Sequence, residues 1–373
     1  MRLSNMMLIV VCLASSVSCN KSNTGSAAKE MAPLPPAPRL EGYPSDVIDA
    51  KAATPLRTTS SGPIADQFQS VISISRTWTP NTYQAGSTIT VAFLGGSNEL
   101  RSKIAHGVQP WLDVANISFD FGPEAAAGKF REWTTSDTTY SADIRIAFLG
   151  GEGGGYWSLV GKDSINPAIR KPNQPSMNFG GFPDGLPDDW QATVVHEFGH
   201  ALGFEHEHQS PVAPCESEFR WNDAPGYVPT RNRYREFVPD SQNRNPGIYR
   251  VLEGPPNNWK ENQINYNLRQ LAQSTDYLTT AFDDESIMKY QFPEWMFIHG
   301  KQSPCYSQEN LVLSQQDIAT AGQIYPRNAQ ATRRNLVAQQ KGLQQLVKVP
   351  GLSAEAKAKY RSDIQQVNAA LKP

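Results

Sequence analysis

The residues best suited to chemistry lie in one short motif, His196-Glu197-x-x-His200, with a third histidine, His206, further along the chain. At about 100° per residue, His196 and His200 share one helix face a turn apart, where two ring nitrogens can reach a single Zn²⁺. Glu197 lies beside them, placed to take a proton from a water in the open coordination position of zinc. His206 can join the same ion only if the chain turns sharply, which Gly203 permits because glycine tolerates left-handed backbone. The pattern predicts one Zn²⁺ per chain, held by the three histidines.

A structural zinc site is the main alternative for this cluster. Closed structural sites usually have four protein ligands, often cysteines, whereas only three ligands are evident at this spacing, which leaves a position for water. His208 is an alternative third ligand, but on a continued helix it would lie about 12 Å from His200 along the axis, too far to share one ion. The sequence therefore favours a catalytic site, with His208 as a rim or surface residue.

The elements that must position this motif follow from hydrophobic periodicity. The motif helix is expected to begin after Asp189 and to end at Gly203, because its apolar residues recur at helical spacing. Alternation predicts a half-buried strand over Ile89 to Phe93, followed by a helix with Ser97 as its N-cap and a bend near Pro110. The remaining predicted elements are strands over Ile117 to Phe121 and Ala142 to Phe148, and a glycine-rich loop over 150–155.

The first 66 residues indicate an export signal followed by a leader. Met6 to Ala14 is apolar but shorter than the about 20 residues that span a bilayer, so residues 1–18 are predicted to be a signal peptide. Cleavage before Cys19 suits either plain secretion or a bacterial lipoprotein anchored through a lipidated Cys19, although Ser16 stands where a lipobox usually has Leu. Residues 19–66 are rich in Ser, Ala, Thr and Pro, cannot bury a core, and are predicted to be a tether, a pro-segment or both.

Composition narrows the classes of partner. The 373 residues carry 34 Lys and Arg against 36 Asp and Glu, a net charge of -2, with no long basic run, so no nucleic-acid partner is expected. Charged residues make up only 19%, while Gly and Pro are plentiful, which is typical of loop-rich exported globular proteins. An exported protein, secreted or held in a bacterial cell envelope, is therefore predicted.

The cysteines allow one disulfide. Cys12 leaves with the signal peptide, and lipidation would account for Cys19. Cys215 and Cys305 then either pair, closing a long loop for ~3 to 5 kcal/mol on the chain-entropy model, or remain two buried thiols. Both lie in irregular, Pro-bearing stretches, which favours the pair.

The last 46 or so residues, 328–373, form a separate helical extension in this interpretation. Two apolar patterns at helical spacing are split by Pro350-Gly351. We expect a helical hairpin folded back on the main body, which either simply packs there or binds a partner.

The extended motif resembles that of the metzincin zinc peptidases, and Glu207 directly after the third histidine is similar to the mark of the astacin family within them. Further along, Ser286-Ile287-Met288-Lys289-Tyr290 resembles the Met-turn of that family. The segments 155–161 and 313–318 are also similar to astacin segments, and the likeness spans roughly Val71 to Tyr325.

This resemblance implies an α+β, metzincin-like zincin fold over residues 67–327. Its parts would be an N-terminal mixed twisted sheet with two long helices, an active-site cleft and an irregular C-terminal subdomain, to which the helical hairpin is added. It also implies that Met288 forms an apolar floor beneath the zinc without binding it. Tyr290 would ligate the metal and then swing to hydrogen-bond the developing oxyanion.

The departures from the family point to a microbial branch. Tyr156 stands where many animal members have Cys, and the residues after Glu207 do not have the Arg and Asp pattern of those animal members. In the family, an Asp of the pro-segment can block the zinc. Asp46 and Asp49 are the acids available here, but neither lies in a convincing match, so latency stays open.

The function implied is a zinc-dependent endopeptidase acting on extracellular proteins or peptides, with Glu197 as general base. An extended substrate would add as a strand to a sheet edge, for which Met177 to Gly181, with Asn178, Phe179 and Gly180, is the candidate; Gly180-Gly181 is equally suited to a plain turn. Two alternatives remain: a zinc amidase acting on cell-wall peptides, or a surface-anchored binding module without turnover. The oligomeric state is not predicted.

Overall fold

The computed structural model describes residues 42–52, 70–82, 84–150, 154–273, 277–279 and 281–372. The predicted signal peptide, Cys19 and most of the predicted leader lie outside these residues. The helices of the described ranges are α1 (Ser45–Ala52), α2 (Asn98–Gly107), α3 (Gln109–Val114), α4 (Trp190–Ala201), α5 (Cys215–Glu218), α6 (Ile248–Glu253), α7 (Glu261–Leu268), α8 (Gln315–Ile324), α9 (Ala329–Leu346) and α10 (Ala354–Ala370). The strands are β1 (Ile72–Ser73), β2 (Ser87–Phe93), β3 (Ile117–Asp120), β4 (Ile144–Ala147), β5 (Tyr156–Ser158), β6 (Met177–Phe179), β7 (Thr230–Arg231), β8 (Phe237–Val238) and β9 (Tyr277–Leu278).

A five-stranded sheet in the order β3-β2-β4-β6-β5 forms the N-terminal part of the domain. The pairs β2 with β3, β2 with β4 and β4 with β6 are parallel, whereas β5 runs antiparallel to β6. The strand predicted from alternation is confirmed as β2, in which Ile89, Val91 and Phe93 are fully buried. The next two predicted strands are confirmed as β3 and β4, both shorter than expected.

The expected sheet edge is wrong. Strand β6, which contains Asn178 and Phe179, lies between β4 and β5, and β5 is the edge strand of the described sheet. Asn178 points its side chain at the glycine-rich loop, accepting from Leu149 N at 2.7 Å and donating to Gly155 O at 2.7 Å. A Cβ at Gly180 would lie 2.6 Å from Gly155 N, so the chain is packed too closely there to expose an edge. The loop instead returns the chain as β5, which covers β6.

Two helix systems flank this sheet. The Ser97 hydroxyl accepts from Leu100 N at 3.2 Å, so the predicted N-cap of α2 is confirmed. The predicted bend separates α2 from α3, which has Pro110 in its first turn. Trp111 of α3 donates from its indole to Val195 O at 2.7 Å and thereby attaches this pair to α4. This hydrogen bond attaches the motif helix α4 to the helix pair at the residue directly before His196.

Helix α1 falls inside the segment predicted to be tether or pro-segment. The expectation that this segment buries no core does not hold for α1, because Val47 and Ile48 pack with Trp157 and Leu159 of the domain. Four residues after Val47, Lys51 forms a buried ion pair with Asp163 at 3.1 Å. Helix α1 therefore buries its apolar residues against apolar residues of the domain. Composition alone does not reveal this packing.

Helices α9 and α10 form the predicted hairpin around Pro350 and Gly351. Their facing apolar residues build a small core of their own, including Leu336, Leu343 and Val367. Gln339 fastens the hairpin to the domain by donating to Thr77 O at 2.7 Å.

Together these elements confirm the predicted α+β fold. Among the described residues, no helix combines the length and apolarity that a membrane span requires.

Candidate active site

Helix α4 presents His196 and His200 one turn apart on a buried face. The helix ends just before Gly203, whose φ of 107° lies in the left-handed region that favours glycine. The chain then reverses, and His206 reaches the two helical histidines. One ligand nitrogen from each of the three residues lies within 4.8 Å of the others, and the Nε2 atoms of His200 and His206 are 2.9 Å apart. The structure brings together the three residues that the spacing suggested.

The opposite nitrogen of each imidazole is held by an acceptor. His196 Nδ1 is 2.6 Å from Ile287 O, and His200 Nδ1 is 2.8 Å from Phe204 O. His206 Nδ1 is 3.0 Å from Oε1 of Gln209. A carbonyl oxygen only accepts, so each Nδ1 donates its proton, which leaves Nε2 as the nitrogen that each imidazole can offer to a ligand.

Gln209 is a site residue that the sequence did not single out. Its amide nitrogen donates to Tyr266 O at 2.9 Å and to Arg269 O at 3.0 Å, which fixes its oxygen toward His206. The signal available was its position three residues after His206, at the end of the 3-10 turn Glu207–Gln209.

This donor set fits zinc. Three imidazoles whose other nitrogen is hydrogen-bonded to an oxygen are the arrangement in which catalytic zinc is commonly bound, with a further position left for water. The Nε2 atoms of His200 and His206, 2.9 Å apart, are close enough to bind a single cation. No fourth histidine, cysteine or carboxylate joins the cluster within the described residues. Glu197 follows His196 in α4 and has no exposed surface.

The segment around Met288 contacts the histidine motif directly. Ile287 supplies the acceptor for His196, and Met288 O accepts from Glu207 N at 3.0 Å. A Cβ at Gly199 would lie 2.4 Å from Met288 Sδ, so glycine at this motif position lets the sulfur approach the helix. Met288 itself has no exposed surface.

A buried carboxylate holds that segment in place. Asp317, in the first turn of α8, accepts from Ser286 Oγ at 2.7 Å and from Ile287 N at 2.9 Å. The segment 313–318, which contains Asp317, is one of those that resemble astacin segments, but the sequence analysis assigned no role to Asp317.

Glu207 also binds the part of the chain that leads from Asp283 to Met288. Its Oε1 accepts from Asp283 N at 3.1 Å. Burial raises the pKa of Glu207 to about 8. This residue thus supports the turn that carries His206.

Tyr290 lies against the histidine cluster. Its ring centroid is 4.3 Å from that of His206 and 5.8 Å from that of His196. Only 9% of Tyr290 is exposed. The phenol is therefore held next to the ligand set by ring packing.

Comparison with solved structures finds the same fold. A structure of myroilysin matches 69% of this chain and 99% of its own, with 29% identity and a TM-score of 0.50. A crystal structure of myroilysin gives 28% identity and 0.41, over 68% of this chain and 86% of its own. High choriolytic enzyme 1, a hatching enzyme zinc-protease from Oryzias latipes, gives 16% identity and 0.37, over 70% of this chain and 98% of its own. These neighbours are astacin-family zinc metalloproteases.

The resemblance to the astacin family is confirmed. No protein-family model matches the sequence. No curated protein matches it either. The likeness to the first myroilysin structure, together with the histidine cluster, indicates a zinc metallopeptidase.

The expected place of His208, at the rim or on the surface, is wrong. His208 is only 1% exposed, and its Nε2 is 3.2 Å from Asn267 O. Its ring lies between those of His206 and Phe292, at centroid distances of 5.2 and 5.0 Å. The chain reversal at Gly203 carries the residue into the core, which a continued helix would not have done.

The C-terminal subdomain has its own core, which includes Phe219, Phe292 and Tyr290. A disulfide joins Cys215 and Cys305 inside it, with Cα atoms 5.4 Å apart. Both cysteines have no exposed surface. The bond closes the long segment that carries Met288 and Tyr290.

Proposed function

We propose that this protein is a zinc-dependent endopeptidase that hydrolyses peptide bonds of extracellular proteins, with one Zn²⁺ per chain and Glu197 as general base. The observation that carries the proposal is the convergence of three Nε2-presenting histidines with Glu197 one residue from the first of them. Zinc held by His196, His200 and His206 supplies Lewis acidity, which acidifies water and polarises a carbonyl.

Glu197 moves the protons of the reaction. As a carboxylate it takes the proton of the attacking water, and as a carboxylic acid it returns that proton to the leaving amine. The complete burial of Glu197 supports this role. Without bulk water around the carboxylate, the neighbouring groups of the site determine how readily it takes up a proton. Tyr290 would donate its phenolic proton to the oxyanion, a role for which its packing on His206 supports the position.

Substrate binding is proposed on β5 instead of β6. Leu159 N donates to Ser176 O and Gly155 O accepts from Gly180 N, so residues 155 and 159 turn their polar groups toward β6 and its flank. The alternating residues Tyr156 and Ser158 turn theirs away from β6. An extended peptide would add there as a further strand, with main-chain hydrogen bonds supplying affinity.

The deciding experiment compares Glu197→Gln with wild type on a protein substrate and on a quenched peptide. We expect Glu197→Gln to keep one zinc per chain by metal analysis and to lose at least about 10² to 10⁴ in kcat. Glu99→Gln makes the same chemical change on the exposed face of α2 and should leave kcat unchanged.

Three results would contradict the proposal. Digestion by Glu197→Gln at the wild-type rate removes the proposed base from the mechanism. Cleavage of cell-wall fragments without cleavage of protein assigns the site to an amidase, and zinc binding with neither reaction assigns it to a binding module.

We also propose that the chain is exported, either as a free protein or as a bacterial lipoprotein anchored through Cys19. Support comes from the apolar run near the N-terminus. The mass of the mature N-terminus measures this: a lipid-modified Cys19 shows the anchor, and an unmodified start at or after that position shows free secretion. A retained Met1 contradicts export.

A further inference from the structure

A second feature of the C-terminal subdomain is a β-hairpin that precedes α6. Strands β7 and β8 pair antiparallel, with Thr230 opposite Val238 and Arg231 opposite Phe237. We call residues 227–240 the basic hairpin, because Arg231, Arg233 and Arg235 alternate through its tip.

The tip of the basic hairpin is built as a defined turn. Oδ1 of Asn232 accepts from Tyr234 N at 2.9 Å and from Glu236 N at 3.0 Å. Arg235 N donates to Asn232 O at 3.0 Å, and Arg235 adopts a φ of 69°. The three arginines are therefore presented by an ordered loop.

The base of the hairpin is equally well held. Tyr227 donates from its phenol to Val238 O at 2.8 Å. Asp240 accepts from Val228 N at 3.0 Å and from Arg244 Nε at 2.7 Å. Hydrogen bonds from backbone amides and Arg244 outweigh desolvation and hold the pKa of Asp240 below its usual range.

Charge in this region is unbalanced at the tip alone. Between residues 223 and 250 the chain has five arginines and three acids. Asp223 pairs with Arg250 at 2.6 Å, and Asp240 pairs with Arg244 at 2.7 Å. The third acid, Glu236, is 8% exposed and accepts from Asn232 Nδ2 at 2.6 Å.

The three tip arginines are left without an acidic partner. Within the described part of the chain, no carboxylate lies at ion-pair distance from Arg231, Arg233 or Arg235. All three are exposed, and Tyr234 between them is 59% exposed. Arg231 lies over the Phe237 ring at 3.9 Å and donates to Arg235 O at 2.7 Å, which orders its side chain while the cation faces solvent.

The hairpin belongs to the subdomain that supplies Tyr290. Helix α6 follows it directly, and Ile248 and Leu252 of that helix share a core with Tyr290 and Phe292. A ligand bound to the basic hairpin is thus held on the same body as the candidate active site.

We propose that the basic hairpin is an exosite that binds acidic segments of protein substrates. This inference rests on the proposed peptidase function. Guanidinium groups bind carboxylates through paired hydrogen bonds, and an aromatic side chain among them adds contact area. The chain as a whole carries a net charge of -2, so the positive charge of the hairpin tip is a local feature. Charge complementarity at the tip therefore favours an acidic partner.

A membrane surface is the weaker fit to the same charges. Basic clusters that recognise anionic lipids usually have about 4 to 8 Lys or Arg, whereas the tip has three. Val228 and Tyr234 are the exposed large apolar residues of the hairpin, too few to enter a bilayer interface.

The experiment measures binding without turnover. Glu197→Gln protein is titrated into a fluorescein-labelled peptide of alternating Glu and Gly, and separately into the same peptide with Gln for Glu, by fluorescence anisotropy. We expect preference for the Glu peptide, weakening as ionic strength rises above about 0.15 M. Changing Arg231, Arg233 and Arg235 together to Gln should weaken Kd about tenfold, the factor expected when three exposed ion pairs of modest strength are lost.

The matched control changes Arg333, Arg334 and Lys341 to Gln. These three residues are exposed on α9. Their substitution removes the same total charge as the hairpin variant, but from another surface. We expect this control to bind the Glu peptide as tightly as the parent protein. The circular dichroism spectrum and the melting temperature verify that both triple variants remain folded.

Several outcomes overturn the exosite. Equal binding of the Glu and Gln peptides does so, and so does an equal loss in both triple variants. Binding to vesicles containing phosphatidylglycerol but not to the Glu peptide assigns the hairpin to a membrane. Because the assay uses an inactive variant, its result is independent of whether the wild-type protein cleaves peptide bonds.

A turnover assay then ties the hairpin to catalysis. For the three-arginine variant with Glu197 intact, KM for an acidic protein should rise while kcat and the rate on a short neutral peptide stay unchanged. An unchanged KM would show that the hairpin binds acidic peptides without serving the substrate.

Discussion

The phenol of Tyr43, just before α1, donates a hydrogen bond of 2.7 Å to the carbonyl oxygen of Ser158 in the edge strand β5. Tyr43 N also donates to Asn267 Oδ1 in α7 at 3.1 Å. The segment before α1 therefore bridges the sheet edge and the C-terminal subdomain. It occupies an acceptor that a strand-adding substrate would use.

Releasing this segment should improve substrate binding. Changing Tyr43 and Lys51 together to Ala removes the bond to Ser158 and the ion pair with Asp163. We expect faster hydrogen exchange over residues 42–52 and a lower KM for peptides, with kcat little changed. Asp49→Asn, on the exposed face of α1, is the matched control. Faster exchange with an unchanged KM would show that the segment does not compete with substrate.

Gly199→Ala should disturb the packing of Met288 against the motif helix α4. The added Cβ would lie 2.4 Å from Met288 Sδ and 3.0 Å from Trp111 Cζ2, and both side chains are fully buried. We expect a loss of about 1 to 3 kcal/mol in the free energy of unfolding, the usual cost of overpacking, and weaker zinc retention against a chelator. Gln191→Ala, at an exposed position of the same helix, should change neither quantity. Wild-type stability in Gly199→Ala would mean that Met288 moves aside freely.

Loss of the disulfide should loosen the C-terminal subdomain. Cys215 and Cys305 are 90 residues apart, so the bond restricts a long loop in the unfolded chain. Changing both to Ala should lower the free energy of unfolding by about 2 to 4 kcal/mol in denaturant titrations. Reductant should destabilise the wild type toward the double variant and leave the double variant unaffected. Equal stability of the oxidised and reduced wild type would contradict this.

Alkaline stability should depend on Tyr325. Burial raises the pKa of this phenol well above its ordinary value, and it donates to Leu202 O at 2.6 Å. Below the unfolded-state pKa of about 10 the phenol is neutral in both states, so its contribution is complete. Above that pH the unfolded chain releases the proton first, and the free energy of unfolding falls by about 1.4 kcal/mol per pH unit.

The test compares Tyr325→Phe with wild type between neutral and alkaline pH. The variant should be less stable near pH 7, since Leu202 O loses its donor, and should lose stability less steeply above about pH 10. Tyr234→Phe is the matched control, because that side chain is 59% exposed and the buried phenol is kept. Parallel curves for wild type and Tyr325→Phe would rule out the assigned linkage.

Predictions from local pattern agree with the structure where the determining contacts are local. The Ser97 cap, the break before Pro110 and the reversal at Gly203 each depend on residues within one or two turns. The sheet edge was misassigned because register depends on non-local pairing. Tyr156 of β5 pairs with Phe179 of β6. The period-two pattern of a strand does not indicate which other strand it pairs with.

The sequence by itself determined the donor set: three imidazoles, a neighbouring carboxylate and a glycine that lets the chain reverse. Only the tertiary structure decided which nitrogen each imidazole presents. The acceptors that fix the Nδ1 proton include Ile287 O, 91 residues from His196, and Gln209, whose orientation depends on Tyr266 and Arg269. Residue type specifies what a side chain can donate, whereas the direction in which it donates is set by neighbours that only folding brings into contact.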